Sequence, residues 1–490
     1  MAPTVDHTTD TKIEVEMKEE VEKHADSITS DSASEEKGEA SFTYSPEEKQ
    51  LVKKLSWSLM PLVWCVIFVQ FVDKSMLSVA AVTGLLPDVG MNSSQYSWAS
   101  SIVYLGYLVY QIPNNILIQR LPHAKYLGVL ITLWGVVVCV TTIVHNFQQL
   151  MALRFLLGNP ILYIILNSLY RRSEQSAVFG FMLVSSGSGS AVGSIIGYGI
   201  SSTLDYKNGW RAWRWGYLIF GVITVFLGVV VFFLLIDKPT SKLLRLNEQE
   251  KKIMEQRVTD NMVVKSKKIK RAQIWEALKE PRLYCLCLCI LFLNLQNGGL
   301  ISFSVLLVQS LGFDSHQAII LQIPSGIASA AYVLVCIVVA RRTKQTIYTA
   351  IGMTSISLLG LIVLTATESV GGRLAGYYLS WAEAAAQALV ITVIGNNVSG
   401  YTKKVTYNGA LTLFMTLGNF IGPLMMVPPT YLGGLLGYIA SNFLTICMLL
   451  YVRWEGARIN KKRSENPLPE KTDPNLDLTD REDGNFMYRL

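Results

Sequence analysis

The sequence predicts an all-α membrane protein of twelve transmembrane helices arranged as two six-helix, pseudo-symmetric halves. Three observations carry that prediction. Of 490 residues, 51% are hydrophobic and 16% charged, where a soluble chain usually holds about 25% charged. From Trp57 onward, apolar runs long enough to cross a bilayer follow one another. Lys and Arg concentrate on one set of alternate loops, as membrane insertion requires. A soluble enzyme, a disulfide scaffold and a wholly disordered chain all fit this composition poorly.

In chain order, residues 1–50 come first, with five Lys against fourteen Asp plus Glu and almost no aromatics. Such a segment cannot bury a core and is expected to be a disordered acidic tail. It lacks the apolar stretch and cleavage site of a secretory signal. An N-terminal half over 51–236 holds spans near 58–80, 97–118, 126–145, 149–169, 177–201 and 214–236. A basic loop, 237–282, follows with thirteen Lys plus Arg against seven acids. The C-terminal half, 283–452, holds spans near 283–308, 317–340, 346–366, 373–397, 406–427 and 431–452, and 453–490 reads as a second tail.

The loops set the orientation. Lys53, Lys54, Arg120, Lys125, Arg171, Arg172, Arg341, Arg342, Lys344, Lys403, Lys404 and the cluster from Arg453 to Arg463 share one side. Opposite them stand chiefly Lys207, Arg211, Arg214 and Arg373. The positive-inside rule then places both termini and the central loop of a multi-pass membrane protein in the cytoplasm. The basic patches are read as lying against anionic lipid headgroups rather than nucleic acid. Two joined six-helix halves suggest a duplicated transporter with its site at the midplane between them. No TVGYG-type selectivity filter is present, which lowers the channel reading.

Charge inside a membrane is expensive and marks a functional site by default. Asp73 and Lys74 lie roughly mid-membrane or slightly beyond along span 1, counted from Ser58 at 1.5 Å per residue. Asp73 is a proton-coupling candidate and Lys74 a cation for an anionic substrate; a solvated pair at the outer headgroups is the alternative. Arg154, near the start of span 4, fits a site or a snorkelling side chain equally well. Glu383 in span 10, flanked by Ala on both sides, is a second proton-coupling candidate, a structural hydrogen bond being its alternative. Span 7 interrupts its apolar pattern at Asn294, Gln296, Asn297, Gly298 and Gly299. Two glycines after an amide predict a discontinuous helix lining the site, with Asn297 and Gly298 as substrate contacts. Close packing on small residues is the competing reading. In span 11, Asn408 and Asn419 fit substrate contacts or interhelical bonds. Gly187, Gly189, Gly193, Gly197 and Gly199 of span 5 read as helix packing. Asn92-Ser93-Ser94 is a weak glycosylation sequon on the outer side.

Other chemistry finds no support. The cysteines lie in apolar runs, and Cys285, Cys287 and Cys289 alternate where structural zinc needs CxxC or longer spacing. The five His have no partner at nucleophile or metal spacing. No GxxxxGK[ST] loop is present, so neither a metal, a cofactor nor ATP is expected, and energy would come from an ion gradient.

Several segments resemble a known group: FVQFVDKSMLSVA in span 1, YQIPNNILIQRLPHAKYLGVLITLWG across spans 2 and 3, YRRSEQ (170–175), the segment 236–261 and IWEALKEPRLY (274–284). The second half adds NGGLISF (297–303), LGFDSHQAIILQIPSG (311–326), GRLAGYYLS (372–380) and NNVSGYTKKVTYNGALTLFMTLGNFIGP (396–423). Together they resemble the fungal allantoate permease-like branch of the anion:cation symporters, within the major facilitator superfamily, over about 47–463. The resemblance implies a proton-coupled permease of the plasma membrane that imports small organic anions such as allantoate, ureidosuccinate or vitamin carboxylates by alternating access. A monomer is expected. In the wider family the acid–base pair of span 1 serves proton and substrate. Asp73 keeps the acid, and Lys74 stands where Arg is usual, keeping charge but losing the bidentate fork. In span 4 the family pattern RFLLG is followed a few residues later by a Glu; here Asn159 and Pro160 follow Gly158 at once and that Glu is missing. Glu383 stands where the pattern usually has no acid and is a candidate to compensate. Export of a secondary metabolite and nutrient sensing without transport are the alternatives.

Overall fold

The computed structural model describes residues 46–158, 172–235, 247, 250, 270–428, 430–465 and 477–490. Residues 1–55 and 56–490 form two units, and of the first only the opening turns of α1 are described. Among the described residues there is helix and turn but no strand.

The first half runs α1 (Pro46–Ala80), α2 (Ser93–Arg120), α3 (His123–Val140), α4 (Phe147–Leu156), α5 (Arg172–Thr203) and α6 (Ala212–Leu234). A short helix, α7 (Arg271–Lys279), leads into the second half. There follow α8 (Pro281–Ser310), α9 (Ser315–Ile320), α10 (Ile323–Thr343), α11 (Thr346–Ala366), α12 (Val370–Ser380), α13 (Glu383–Asn397), α14 (Tyr401–Leu424) and α15 (Leu432–Glu465). Every expected span has helix over it. Span 4 has it only over its first half, since 159–171 lie outside the described residues, as does most of the basic loop.

Among the described residues, eight helical stretches are long and apolar enough to cross a membrane. α2, α5 and α14 are long enough but are diluted by Ser, Gly, Asn and Thr. Many of those small and polar residues face protein, among them Ser100, Ser101, Gly187, Gly189, Ser194 and Asn419. Glycines bring α5 against α1 and α10: a Cβ at Gly187 would stand 2.9 Å from the Gly326 carbonyl oxygen, and one at Gly189 2.8 Å from that of Phe68. Gly193 and Gly197 face Val72 and Val79 in the same way, while Gly199 faces open space, so packing accounts for most of the span 5 glycines. Apolar side chains instead face outward along α6, where Phe226 is 68% and Phe233 66% exposed. A helix with large apolar groups on its outer surface is suited to lipid.

The helices α1–α6 and α8–α15 meet through bonds at the end of the bundle away from the basic loops. Tyr96 of α2 donates to the Ser302 carbonyl at 2.6 Å, and the Val305 amide donates to the Ser78 hydroxyl at 2.9 Å. Ser201 of α5 meets His316 Nδ1 of α9 at 3.0 Å. At the same end, Asp88 holds Arg211 at 3.1 Å and accepts from Trp213 Nε1 at 2.8 Å. Arg211 reaches it because the π-turn Ala81–Leu85 bends the end of α1 at Gly84, whose φ of +107° glycine adopts without penalty.

Three expectations are corrected. α8 runs without a break through Asn294–Gly299, because its glycines serve packing: a Cβ at Gly298 would lie 2.6 Å from the Asn419 carbonyl oxygen. The interruptions fall instead at Leu321–Gln322, between α9 and α10, and at Trp381–Ala382, inside span 10. Finally, 453–490 is no simple tail. α15 continues to Glu465, and 477–490 folds back on the second half, with Asp480 and Thr479 fully buried. Asn460 and Asn397 pair with the backbones of Tyr488 and Arg489, and the Thr346 amide donates to the Leu490 carbonyl at 3.0 Å.

Candidate functional site

Two polar centres lie inside the helical bundle, one in each half. The first is built on α4. Asn146 caps that helix by accepting from the Gln149 amide at 2.9 Å, and glycines at 106 and 158 let the α4 backbone press directly on α2. The eighth residue of α4, Arg154, is thereby carried inward: it is 6% exposed, and its Nη2 donates to the Tyr217 hydroxyl of α6 at 2.9 Å. A snorkelling side chain would reach water, so burial decides for an interior role. Its Nε has no hydrogen-bond partner among the described residues. Tyr96 and Tyr104 of α2 lie within electrostatic reach of the guanidinium.

Asp73 faces the same space. It is 7% exposed, accepts from Trp134 Nε1 of α3 at 3.2 Å and senses the charges of Arg154 and Lys74 without a direct ion pair to either. Burial rules out a carboxylate dissolved among headgroups. Lys74, next along the helix and so turned about 100° away, is half-buried with its ammonium 5.0 Å from the Phe71 ring centroid. Sequence reasoning missed Trp134, Tyr217 and Tyr104. The available signal is a general one: Tyr and Trp normally sit at membrane interfaces, and any inside a span needs a partner for its polar tip.

The second centre is built on the amides of α8, each of which bonds a different neighbour. Asn294 accepts from Asn419 Nδ2 of α14 at 2.7 Å. Gln296 donates to Ser357 at 3.0 Å and to the Ser380 carbonyl at 2.7 Å, and accepts from Asn442 at 2.6 Å. Asn297 donates to Glu383 Oε1 at 2.7 Å. The Ser380 carbonyl is freed by the break in span 10, and Ser357 donates to it as well, at 2.9 Å. Gln296 therefore satisfies the backbone that the break exposes, as hydrocarbon demands. Glu383 is the first residue of α13 and wholly buried, and its Oε2 has no hydrogen-bond partner among the described residues.

The structure thus brings together Asp73 with Arg154, Asn297 with Glu383, and Asn419 with Asn294. Gly298, expected to touch substrate, instead presses on the α14 backbone. Asn408 is exposed and lies outside both centres; its carbonyl accepts the intrahelical bond of Thr412. Asn92 caps α2, accepting from the Gln95 amide at 2.8 Å, which accounts for the residue structurally. No group of three or more His, Cys, Asp or Glu among the described residues is placed to hold a metal.

Two polar centres buried in separate halves of a helical bundle suit a multi-pass transporter. Comparison with known proteins agrees. The profile of the Major Facilitator Superfamily matches residues 63–423. The chain is 31% identical over 462 residues to the uncharacterized transporter C417.10 of Schizosaccharomyces pombe, covering 90% of each. It is likewise 31% identical over 474 residues to the allantoate permease of Saccharomyces cerevisiae, covering 91% of this chain and 87% of that one. Among solved structures, the xylose transporter XylE from E. coli superposes with a TM-score of 0.60 at 12% identity, over 81% of this chain and 97% of that one. A bacterial homolog of the human lysosomal transporter Spinster gives 0.59 at 13% identity, over 81% and 96%. The chain belongs to the Major Facilitator Superfamily and, within it, to the allantoate permease-like branch.

Proposed function

We propose that this chain is a secondary transporter that imports a small organic anion, of the allantoate, ureidosuccinate or vitamin-carboxylate kind, together with protons. It works by alternating access in the plasma membrane, with both termini in the cytoplasm. The observation that carries this reading is Arg154: a guanidinium buried in the bundle whose Nε–H has no partner among the described residues, beside a carboxylate it does not bind. Burying a cation without a matched anion is costly, so the site is built for a charge that arrives with the substrate. A carboxylate is the planar acceptor that an Arg fork fits best. Likeness to an allantoate permease supports the same class of cargo.

Asp73 is the proton-coupling group of this centre. Its distance from Arg154, beyond ion-pair contact, leaves the cation available when the carboxyl is neutral and competes for it when ionised. Lys74 adds a second positive charge on the approach. With the basic loops inside, the bonds of Tyr96, Ser78 and Ser201 close the route from outside, and their separation opens it.

Uptake of labelled allantoate, ureidosuccinate, nicotinate, pantothenate and biotin by cells lacking their own permeases tests the reading, at acidic and neutral external pH, with and without protonophore. Accumulation stimulated by acid and abolished by protonophore is expected. Secretion or resistance without uptake points to export, and binding without flux to a sensor; either outcome overturns it.

A further inference from the structure

We propose that Glu383, held by Asn297, is a proton-binding position of the second half, so that the chain carries protons on both halves. Four features point to it. The carboxyl is fully buried, among Ala382, Ala385 and Ala386, which are equally buried. Asn297 Nδ2 supplies its one hydrogen bond among the described residues, at 2.7 Å, and Oε2 is left without a partner. Among the described residues, no cation faces it from the elements packed around it. α8 carries no titratable residue beyond Cys289, and α11 none after Tyr348. α10 contributes Cys336, whose thiol touches the Ala385 carbonyl at 3.8 Å; α12 contributes Tyr377, whose hydroxyl is given to Gln322 at 2.6 Å. Both are uncharged at neutral pH.

An isolated carboxylate in such surroundings costs several kcal/mol, and a group so placed takes up a proton instead. The fourth feature is the break at Trp381–Ala382 immediately before it. Glu383 opens α13, so an ionised carboxylate there gains the favourable end of the helix dipole, and a hinge between two short helices can change its exposure without unfolding a span. That this proton is a transported one rests on the proton-coupled uptake proposed above.

The test begins without any substrate. Infrared spectra of the purified full chain at neutral pH should contain the C=O stretch of a protonated carboxyl that is missing from Glu383→Gln and retained in Asp73→Asn. A spectrum unchanged by Glu383→Gln overturns the proposal. Labelled allantoate uptake then asks what the proton does. Glu383→Gln, isosteric and able to keep the Asn297 bond, should lose acid-stimulated accumulation while retaining counterflow exchange within about twofold, a factor worth only ~0.4 kcal/mol. Full acid stimulation in that variant overturns the coupling role. Should Glu383→Gln lose both activities at normal surface abundance, Glu383→Asp decides: restored acid stimulation supports the carboxyl, and no restoration overturns it. If the unmodified chain moves no allantoate, the transport reading fails for that anion and the infrared comparison alone decides the proton position.

Discussion

Buried charge is used in two opposite ways in this molecule. At the end of the second half that carries basic loops, Lys403, Arg282 and Arg481 are matched by Glu276, Glu280 and Asp480. Lys403 Nζ lies 2.7, 2.5 and 2.8 Å from Glu276, Glu280 and Asp480; Arg282 lies 2.6 Å from Asp480, and Arg481 2.8 Å from Glu280. Tyr407 donates to Glu280 Oε2 and Tyr488 to Asp480 Oδ2, the oxygens that Arg282 also contacts, and Thr479 donates to Glu276 Oε2. Apart from Arg282 Nε, no polar atom of this cluster is orphaned among the described residues. Inside the bundle, by contrast, Arg154 and Glu383 each keep an unpartnered polar atom, and Asp73 meets one indole. The matched cluster is a clasp that ties the folded-back 477–490 segment to α7, α8 and α14. The unmatched groups keep their capacity for something that comes and goes. What distinguishes the two is whether a buried charge meets its opposite, not burial or a single unpartnered atom.

The largest effect that would sharpen this contrast is on stability. Asp480→Ala should cost about 3 kcal/mol, since it takes a buried carboxylate from Arg282 and Lys403 and leaves them only Glu280 and Glu276, and thermal unfolding of the purified chain in detergent reads it. Arg154→Gln should stay within about 1 kcal/mol of the unmodified protein, as expected where no matched partner is lost. Equal losses in the two variants would erase the distinction. Transport reverses the order. Arg154→Ala should raise the apparent KM for the transported anion roughly tenfold to a hundredfold, the loss of a charge-assisted bond of about 1.5–3 kcal/mol. Arg154→Lys should recover only part of that, because the fork is gone; an unchanged KM in both removes Arg154 from the site. A smaller effect comes from Gly298→Ala, whose Cβ meets the Asn419 backbone. It should lower stability by about 1 kcal/mol and leave KM unchanged, whereas a KM effect would return Gly298 to the substrate.

The parts legible in the sequence share a cause. Asp73, Arg154 and Glu383 stood out because a charge in an apolar run is anomalous wherever the run packs, and the spans because hydropathy is a property of single segments. What failed depended on which helix meets which. Asn297-Gly298-Gly299 has the local look of a break, yet α8 stays helical because those glycines admit α14 and α15. Trp381-Ala382-Glu383-Ala384 holds good helix formers, yet the chain breaks there, with Gln296 and Ser357 bonding the freed carbonyl from two other helices. Nothing in the sequence alone separates Trp134 and Tyr217 from the other aromatics of the spans, since their partners Asp73 and Arg154 come from other helices. The clasp was illegible for the same reason: a polar segment beyond the last span shows no apolar pattern, and Asp480 gains meaning only beside Arg282 and Lys403.

The smallest predicted effect concerns pH, and it tests whether the clasp is a switch. Burial alone would push the Asp480 carboxyl up, but Arg282 and Lys403 outweigh it and hold the group down at about 2, against an ordinary value of 3.8. A depressed carboxyl contributes stability above its unfolded value and loses it as pH falls through the folded one. The Asp480 contribution is therefore complete above about pH 4 and lost only between there and about 2. Lys403 works in the same direction: burial lowers its ammonium, but Asp480, Glu276 and Glu280 overcome that and hold it above its usual range, so it stays charged. Across the neutral-to-mildly-acidic range in which a proton-coupled transporter changes rate, the clasp should keep its charges and its strength. Unfolding temperatures of the unmodified chain and of Asp480→Asn should accordingly differ by the same amount at neutral and mildly acidic pH. A gap that narrows toward mildly acidic pH would mean that Asp480 titrates there, and the clasp would then belong with the responsive groups of the bundle rather than opposite them.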